Sequence, residues 1–317
     1  MRSSKVELYT PQELEESLYR HLRQREMPDC FLYTGQSGAQ NWLDLEQSED
    51  FPVASSLTEL LRRNADSIAA AMPKGCDLVS IGVGDGSKER LLLEALAPDF
   101  GARYVAIDVS SDLVDTALRR VDDLEVDARG YVAFCGDLAD LRPRWDSPFL
   151  LCLLGNNFCN YEPEELLNRV HAELSRQDMF LLDAHLRPEG EEALEEWRRE
   201  IDDAYGSQKN VRFNLWPLIE HGIDPDACRF DIGLIQVQTP AGKAYRTRKQ
   251  IRVLESATLT FGDRTIELDS GEVIEMGFTY KYTVDQLREL LETAGFSVAK
   301  EFRDEGAEHT LMLAKRR

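Results

Sequence analysis

The sequence predicts an α/β fold, in which a mostly parallel sheet is flanked by helices and a smaller α+β domain is inserted before the sheet closes. Three observations support this. Short apolar runs alternate with helical segments between residues 77 and 187, longer runs divided by turn residues follow, and a helix with two strands returns near residue 284. Alternating strands and helices indicate parallel strands joined by right-handed crossovers.

The first elements are helical. Thr10 as an N-cap, with Glu13 three residues later, predicts an amphipathic helix over residues 10–26. A second helix is predicted over 56–71, and the Gly- and Ser-bearing stretch 33–38 is expected to interrupt regular structure. The alternating region then contains strands at 78–81, 104–107, 131–134, 149–154 and 179–182, with helices at 88–97, 111–121 and 162–174.

The inserted domain begins with an acidic helix at 189–205 and continues with runs at 230–238 and 251–261 that are typical of antiparallel strands. Turns are predicted at 240–242, 262–263 and 270–271, and the closing elements are a helix at 284–294 and strands at 296–302 and 310–314. The predicted domains are an N-terminal helical lid or substrate segment (1–75), a cofactor-binding domain (76–187 and 283–317) and an inserted substrate-binding domain (188–282).

Composition excludes several classes of function. The formal charge is −21, from 58 acidic and 37 basic residues, and such a charge repels nucleic acid. The N-terminus has no apolar segment typical of a signal peptide, and no run reaches the roughly 20 apolar residues of a membrane span. We therefore expect a cytoplasmic protein with no membrane partner. The six cysteines are scattered, so no metal site is expected.

A glycine-rich turn follows the first predicted strand of the alternating region. Gly82, Gly84 and Gly86 allow a tight turn and the close approach of a ligand at the carboxyl edge of a Rossmann-like sheet. Asp108 ends the second strand, 22 residues after Gly86, where a carboxylate can accept hydrogen bonds from a ribose diol. Asp137 follows the third strand and is expected to bond an adenine amine. Together these residues predict a nucleoside-binding site.

The spacing of the glycines favours S-adenosylmethionine over NAD. A dinucleotide fingerprint needs a further small residue where this chain has Ser87. The closing helix, strand, loop and strand agree by fold analogy with a class I methyltransferase sheet. An NAD-dependent oxidoreductase and a protein that binds the cofactor without turnover stay open as alternatives.

Several segments together carry a family resemblance. They are residues 81–93, 104–110, 136–137, 154–160, 213–214, 271–272 and 281–282. In this order they resemble the histidine-specific methyltransferase family, whose best-known member trimethylates the α-amino group of histidine. The resemblance implies an S-adenosylmethionine-dependent N-methyltransferase that acts on a small amine, for which the best candidate is the amino group of an amino acid.

The resemblance also implies site residues. Those expected to line the cofactor are Gly82, Gly84, Gly86, Lys88, Asp108, Asp137 and Gly155. Asn160 and Tyr205 are expected to orient the reacting amine, and Tyr33 and Asn214 to contribute to the substrate pocket. Each has a simpler interpretation, because Asn160 could cap the helix near residue 162 and Tyr205 could only pack its ring. His185 is interpreted as a hydrogen-bonded residue at a strand end.

Some residues depart from the family pattern. Gly277 and Thr279 are expected to line the substrate pocket at the positions where the family has a glutamate and a serine that bind the imidazole ring, so histidine is only one candidate substrate. Segment 50–56 replaces the family's tyrosine-rich lid, and Ser80 replaces an acid before the glycine turn. Acceptors that react through oxygen, carbon or a protein side chain stay open, and the oligomeric state is not predicted.

Overall fold

An eight-stranded sheet forms the centre of the molecule. The computed structural model describes residues 4–48, 53–96, 103–124, 126–146, 148–306 and 308–317. The strands of the large sheet are β1 (Ser4–Glu7), β3 (Asp77–Ile81), β4 (Arg103–Asp108), β5 (Asp127–Val132), β6 (Phe149–Leu153), β7 (Met179–His185), β14 (Phe296–Arg303) and β15 (His309–Arg316). Their order across the sheet is β1-β5-β4-β3-β6-β7-β15-β14.

The order of the strands creates a crevice at the centre of the sheet. From β3 the chain adds β4 and β5 on one side, then crosses to the other side of β3 and adds β6 and β7. These strands are parallel, whereas β15 runs antiparallel to both of its neighbours. The connections after β3 and β6 diverge, and ligands bind at such a switch point in open α/β sheets. The predicted α/β fold is confirmed.

Helices cover both faces of the sheet. On one face lie α3 (Val53–Ala69), α4 (Ser87–Leu96) and α5 (Ser111–Arg120), and on the other lie α6 (Leu138–Leu141), α7 (Pro163–Glu173) and α10 (Val284–Thr293). Helices α1 (Pro11–Arg23), α2 (Gly35–Glu46), α8 (Glu191–Tyr205) and α9 (Gln208–Glu220) belong to the N-terminal and inserted segments. Val79 and Leu151 belong to the core on one face, and Leu78 and Leu150 to the core on the other. Burial on both faces explains why the strands are continuous apolar runs.

A second sheet joins the inserted segment to the N-terminal segment. Its strands are β2 (Glu26–Met27), β8 (Cys228–Thr239), β9 (Gly242–Val253), β12 (Val273–Met276) and β13 (Tyr280–Lys281), while β10 (Ala257–Phe261) and β11 (Arg264–Leu268) form a separate two-stranded sheet. β9 pairs with β8, β12 and β13, and β12 pairs in parallel with β2. The N-terminal segment therefore contributes β1 to the large sheet and β2 to this sheet. The domain limits drawn from the sequence stay a prediction.

The capping residues confirm the first predicted helix. Oγ1 of Thr10 accepts the Glu13 N–H at 3.3 Å, and the Glu13 carboxylate accepts the Thr10 N–H at 2.8 Å. The prediction of irregular structure over 33–38 is wrong, because α2 begins at Gly35. A Cβ on Gly38 would lie 2.8 Å from the carbonyl oxygen of Leu32, so glycine lets α2 pack closely on the preceding turn. Residues 50–52 of the replaced lid and residue 97 of a predicted helix lie outside the described residues.

Two other differences between the predicted and the observed elements lie in the inserted segment. The run 251–261 is divided between β9 and β10 rather than forming one strand. Helix α9 was not predicted, and it contains Pro217, although proline usually breaks a helix. Here Pro217 lies in the last turns of the helix, and the Ser207 hydroxyl caps its start by accepting the Asn210 N–H at 3.4 Å.

Candidate active site at the switch point

The turn between β3 and α4 approaches a neighbouring loop too closely to carry side chains. Gly82 and Gly84 have positive φ angles of 72° and 54°. A Cβ on Gly82 would lie 1.8 Å from Nδ2 of Asn157. The Asn157 amide donates a hydrogen bond to the carbonyl of Ile81 at 2.8 Å. Because Asn157 follows β6, this bond joins the two sides of the crevice.

The third glycine of the turn has a packing role. Gly86 has a φ of 75°, and a Cβ there would lie 2.7 Å from Cα of Ala117 in α5. Gly86 therefore lets the turn pack against the backbone of α5.

Replacing Gly86 with alanine is expected to lower the free energy of unfolding by about 2–4 kcal/mol, since it adds both left-handed backbone strain and overpacking. Urea denaturation measures the change. Gly75→Ala is a matched control, because Gly75 has a φ of 72° and a Cβ there would meet no atom beyond the adjacent residues within 4 Å. An equal loss in both variants would contradict the proposed close contact with α5.

The acid at the end of β4 faces the glycine turn. Asp108 is buried, and its carboxylate accepts the Gly84 N–H at 3.2 Å and the Ser110 N–H at 3.0 Å. Burial raises the pKa of Asp108 to about 6, although the backbone hydrogen bonds oppose this rise. Asp108 is therefore a rigidly held carboxylate that is ionised at neutral pH.

A buried ion pair connects α4 to the N-terminal segment. Nζ of Lys88 lies 2.8 Å from Oε1 of Glu46 in α2, and both side chains are nearly inaccessible to solvent. Burial opposes the charge on Lys88, but the Glu46 and Glu89 carboxylates outweigh it and raise the pKa of Lys88 above its ordinary value. The pair holds α2 over the start of α4.

The departure at Ser80 has a structural explanation. The Ser80 hydroxyl donates to Oε1 of Glu89 at 2.7 Å, and Glu89 is fully buried. Burial raises the pKa of Glu89 to about 7. The acid that β3 lacks is thus supplied from the first turn of α4.

Two adjacent cavities lie above this edge of the sheet. The first, of about 530 Å³, follows the glycine turn and Asp108. The second, of about 460 Å³, lies between the ends of β6 and β7 and helices α8 and α9. Five residues line both cavities and so form a shared wall, namely Asp29, Tyr33, Trp42, Gly155 and Asn160.

The structure brings most of the predicted site residues to these cavities. Those lining the first cavity are Gly82, Gly84, Lys88, Asp108, Gly155 and Gly277. Those lining the second are Tyr33, Asn160, Tyr205, Asn214 and Thr279. His185 also lines the second cavity, so it is more than a strand-end residue.

Three predicted residues lie elsewhere than expected. Asp137 lines neither cavity, because its carboxylate accepts hydrogen bonds from the Tyr9 hydroxyl and the Phe134 N–H, both at 2.9 Å. Gly86 also lines neither, owing to its contact with α5. Gly277 lines the first cavity rather than the second, and so does not share an acceptor pocket with Thr279.

Asn160 makes a tertiary contact instead of capping a helix. The Thr279 hydroxyl donates to Oδ1 of Asn160 at 2.8 Å, whereas Glu162 is the N-cap of α7. Tyr205 lines the same cavity, and burial raises the pKa of Tyr205 to about 12. Asn160 and Thr279 therefore form a hydrogen-bonded pair in the wall of the second cavity, which Tyr205 also lines.

Sequence reasoning missed an ion pair in the shared wall. The buried Lys249 ammonium contacts Oδ2 of Asp29, while Oδ1 of Asp29 is buried with no hydrogen-bond partner in the described part of the chain. A Cβ on Gly277 would lie 2.5 Å from Cγ of Asp29, so the absence of a side chain there makes room for this carboxylate. No local motif indicates the pair, because its members are 220 positions apart.

The described residues contain neither a cluster suited to a metal ion nor a helix suited to a membrane. Over these ranges, no group of three His, Cys, Asp or Glu side chains is arranged to hold a metal ion. No helix in the same ranges has the length and apolar character needed to cross a membrane.

The strand order, the glycine turn and the acid after β4 define a class I S-adenosylmethionine-dependent methyltransferase. More particularly, the chain belongs to the histidine-specific, S-adenosylmethionine-dependent methyltransferase family, whose model matches residues 11–316. The predicted family, enzyme class and cofactor are thereby confirmed, and the NAD-dependent alternative is set aside. No curated protein matches the chain.

Solved structures are similar only at low identity. A methyltransferase from Clostridium acetobutylicum is 11% identical with a TM-score of 0.41, covering 83% of this chain and 91% of that one. The PH0226 protein from Pyrococcus horikoshii is 12% identical with a TM-score of 0.43, covering 86% and 93%. Magnesium protoporphyrin IX methyltransferase from Synechocystis, solved with S-adenosylhomocysteine, is 12% identical with a TM-score of 0.44, covering 90% and 96%. The family assignment does not depend on these similarities.

Proposed function

We propose that this enzyme methylates the amino group of an amino acid or of a closely related small amine. The observation that supports the proposal is the wall shared by the two cavities. A cofactor in the first cavity and an acceptor in the second would meet across this wall. Methyl transfer needs the donor and acceptor atoms aligned in line, and two fixed adjacent cavities favour such alignment.

The first cavity suits the cofactor. Gly82 and Gly84 offer backbone without side chains, and Asp108 has lone pairs for ribose hydroxyls beyond those used by its backbone partners. When bound, S-adenosylmethionine supplies a methyl group on a positively charged sulfur. The ion pair with Glu46 neutralises Lys88, so this lysine does not strongly oppose a cationic ligand. Gly155 would also contact the bound cofactor.

The acceptor amine must be neutral to react, and the wall residues support its orientation. Desolvation of the half-buried Tyr205 and Tyr33 raises the pKa of both hydroxyls, and the Asp29 carboxylate adds to both shifts. Both therefore stay protonated at neutral pH and act as hydrogen-bonding groups rather than bases. In this proposal the free Oδ1 of Asp29 accepts a hydrogen bond from the amine, and Asn160 orients it.

The acceptor's side chain would lie farther into the second cavity. Asn214 lines this region, and its amide donates to Oδ1 of Asn210 at 2.7 Å. These two amides and the Thr279 hydroxyl can recognise polar groups. Histidine fits the family name and is the first candidate, and the proposal also covers amino acids without an imidazole ring.

The test is calorimetric. S-adenosylmethionine and S-adenosylhomocysteine are titrated into the protein, and then each of the twenty amino acids into the S-adenosylhomocysteine complex. We expect both cofactor forms to bind and at least one amino acid to bind the complex and to yield N-methylated product. If no amino acid binds or reacts while an oxygen, carbon or protein acceptor does, the proposed acceptor class is wrong. Cofactor binding without turnover of any acceptor would instead indicate a non-catalytic protein.

A further inference from the structure

Lys281 is a buried cation at the second cavity. It ends β13 with 5% of its surface exposed and lines the cavity wall. Its Nζ lies 3.2 Å from Nδ1 of His185 and 5.9 Å from the centre of the Trp197 ring. Within the described residues, no carboxylate forms an ion pair with it.

The other buried lysines of the site differ from Lys281 in this respect. Lys88 is paired with Glu46, and Lys249 with Asp29. Glu196, Glu200 and Glu308 line the same cavity as Lys281, but none is at ion-pair distance from it. An unpaired buried charge is costly, and an anionic ligand would remove much of that cost.

The polar neighbours of Lys281 leave the positive charge uncompensated. Burial lowers the pKa of His185 and lowers that of His309 to about 4, so both rings are neutral at pH 7. Nε2 of His309 has no hydrogen-bond partner among the described residues. Oδ2 of Asp183 lies 3.9 Å from this Nε2, and the Asp183 carboxylate accepts the Asn156 N–H at 3.0 and 3.1 Å. Burial lowers the pKa of Lys281 itself to about 8, so it is mostly charged at neutral pH.

Lys281 follows Thr279, the hydrogen-bonded partner of Asn160, by two residues. Residues two apart in an extended segment face the same side, about 6–7 Å apart. Thr279, which contacts Asn160, and Lys281 both line the second cavity in this way. We therefore expect an amino acid whose amine lies at Asn160 to direct an acid group towards Lys281.

We propose that Lys281 binds a carboxylate group of the acceptor, so that the substrate is a zwitterion rather than a simple amine. The inference rests on the proposed function. Among the described residues, Arg187 also lines this cavity without a carboxylate partner, but its guanidinium lies over the Tyr245 ring and donates to the Pro188 carbonyl at 3.1 Å. The single charge of the Lys281 ammonium matches a monoanionic carboxylate. The carboxylate is either the α-carboxylate or one in the side chain, and both place the same chemistry at the lysine.

The first test needs no acceptor. Acetate and acetamide are titrated into the S-adenosylhomocysteine complex of the wild type, of Lys281→Met and of Lys243→Met, a matched control at an exposed lysine. We expect acetate to bind the wild type and the control and to lose at least about tenfold in affinity in Lys281→Met, while acetamide binds none of them. Acetate binding that is absent, or equal in all three proteins, would overturn the proposal. Unchanged S-adenosylhomocysteine affinity and melting temperature verify that Lys281→Met is folded.

The second test identifies the carboxylate. Each of the twenty amino acids and its α-amide is titrated into the same complexes. If the α-carboxylate contacts Lys281, replacing the lysine reduces amino-acid affinity and abolishes the preference over the amide. If a side-chain carboxylate contacts it, both ligands lose affinity in Lys281→Met. A preference for the amino acid that persists in Lys281→Met, with no loss of affinity for either ligand, would overturn the proposal. A failure of methyl transfer alone would refute the proposed function and leave the acetate result standing.

Discussion

Replacement of Asp108 with alanine is expected to weaken S-adenosylhomocysteine binding by about 100-fold or more, because two charge-assisted hydrogen bonds to the ribose would be lost. The carboxylate also holds the Gly84 N–H at 3.2 Å, so the glycine turn loses a restraint at the same time. Isothermal calorimetry measures the affinity. Asp112→Ala is the matched control, because it removes the same charge from an exposed position in α5. An affinity within a few-fold of the wild type would refute the assignment of Asp108 to the cofactor.

The same residue predicts the pH dependence of binding. Burial raises the pKa of Asp108 to about 6, and only the ionised carboxylate can accept a hydrogen bond from both ribose hydroxyls. Affinity should therefore decrease as the pH falls below about 6, by up to roughly tenfold per pH unit. The Asp108→Ala variant should bind weakly with a flat profile over this range. A wild-type profile that is equally flat would show that this ionisation is not linked to binding.

Asn160→Ala is expected to reduce turnover by roughly 100-fold while leaving S-adenosylhomocysteine affinity nearly unchanged, since the amide orients the amine and not the cofactor. The Thr279 hydroxyl, which donates to Asn160 at 2.8 Å, would lose its acceptor. Steady-state rates with the amino acid found by calorimetry measure the effect.

Asn64→Ala is the control for this substitution. Asn64 lies in α3, and its side chain donates to the Leu60 carbonyl at 2.8 Å. Its rate should match the wild type. Equal losses of turnover and cofactor affinity in Asn160→Ala, together with a lower melting temperature, would instead indicate a structural role for Asn160.

Much of the fold could be predicted because its elements are signalled locally. The capping residues of α1 mark the start of a helix. The apolar runs between β3 and β7 indicate strands that are buried on both faces. Helices α2 and α9 were harder to predict because glycine and proline normally end helices. Tertiary packing overrides that preference here. The ring centres of Trp42 in α2 and Phe213 in α9 lie 5.6 Å apart in one aromatic cluster.

The candidate site, like the fold, has a part that the sequence predicts and a part that it does not. The glycine turn and Asp108 are close in the chain and follow consecutive strands, so their meeting follows from the topology of a parallel sheet. Asp137 was assigned by the same reasoning, but a local turn directs its carboxylate to the Tyr9 hydroxyl and the Phe134 N–H, away from both cavities. Position after a strand does not determine where a side chain points.

The sequence by itself determined the α/β class, the glycine turn, the acid after the second strand of the alternating region and the family. Only the tertiary structure decided that Asp29 lies against Gly277 and pairs with Lys249, and that Lys281 faces a cavity without a counterion among the described residues. The physical reason is that periodicity and spacing report which face of an element is buried. Which two buried faces meet depends on long-range packing and on the balance of buried charges, and both arise only when distant segments come together.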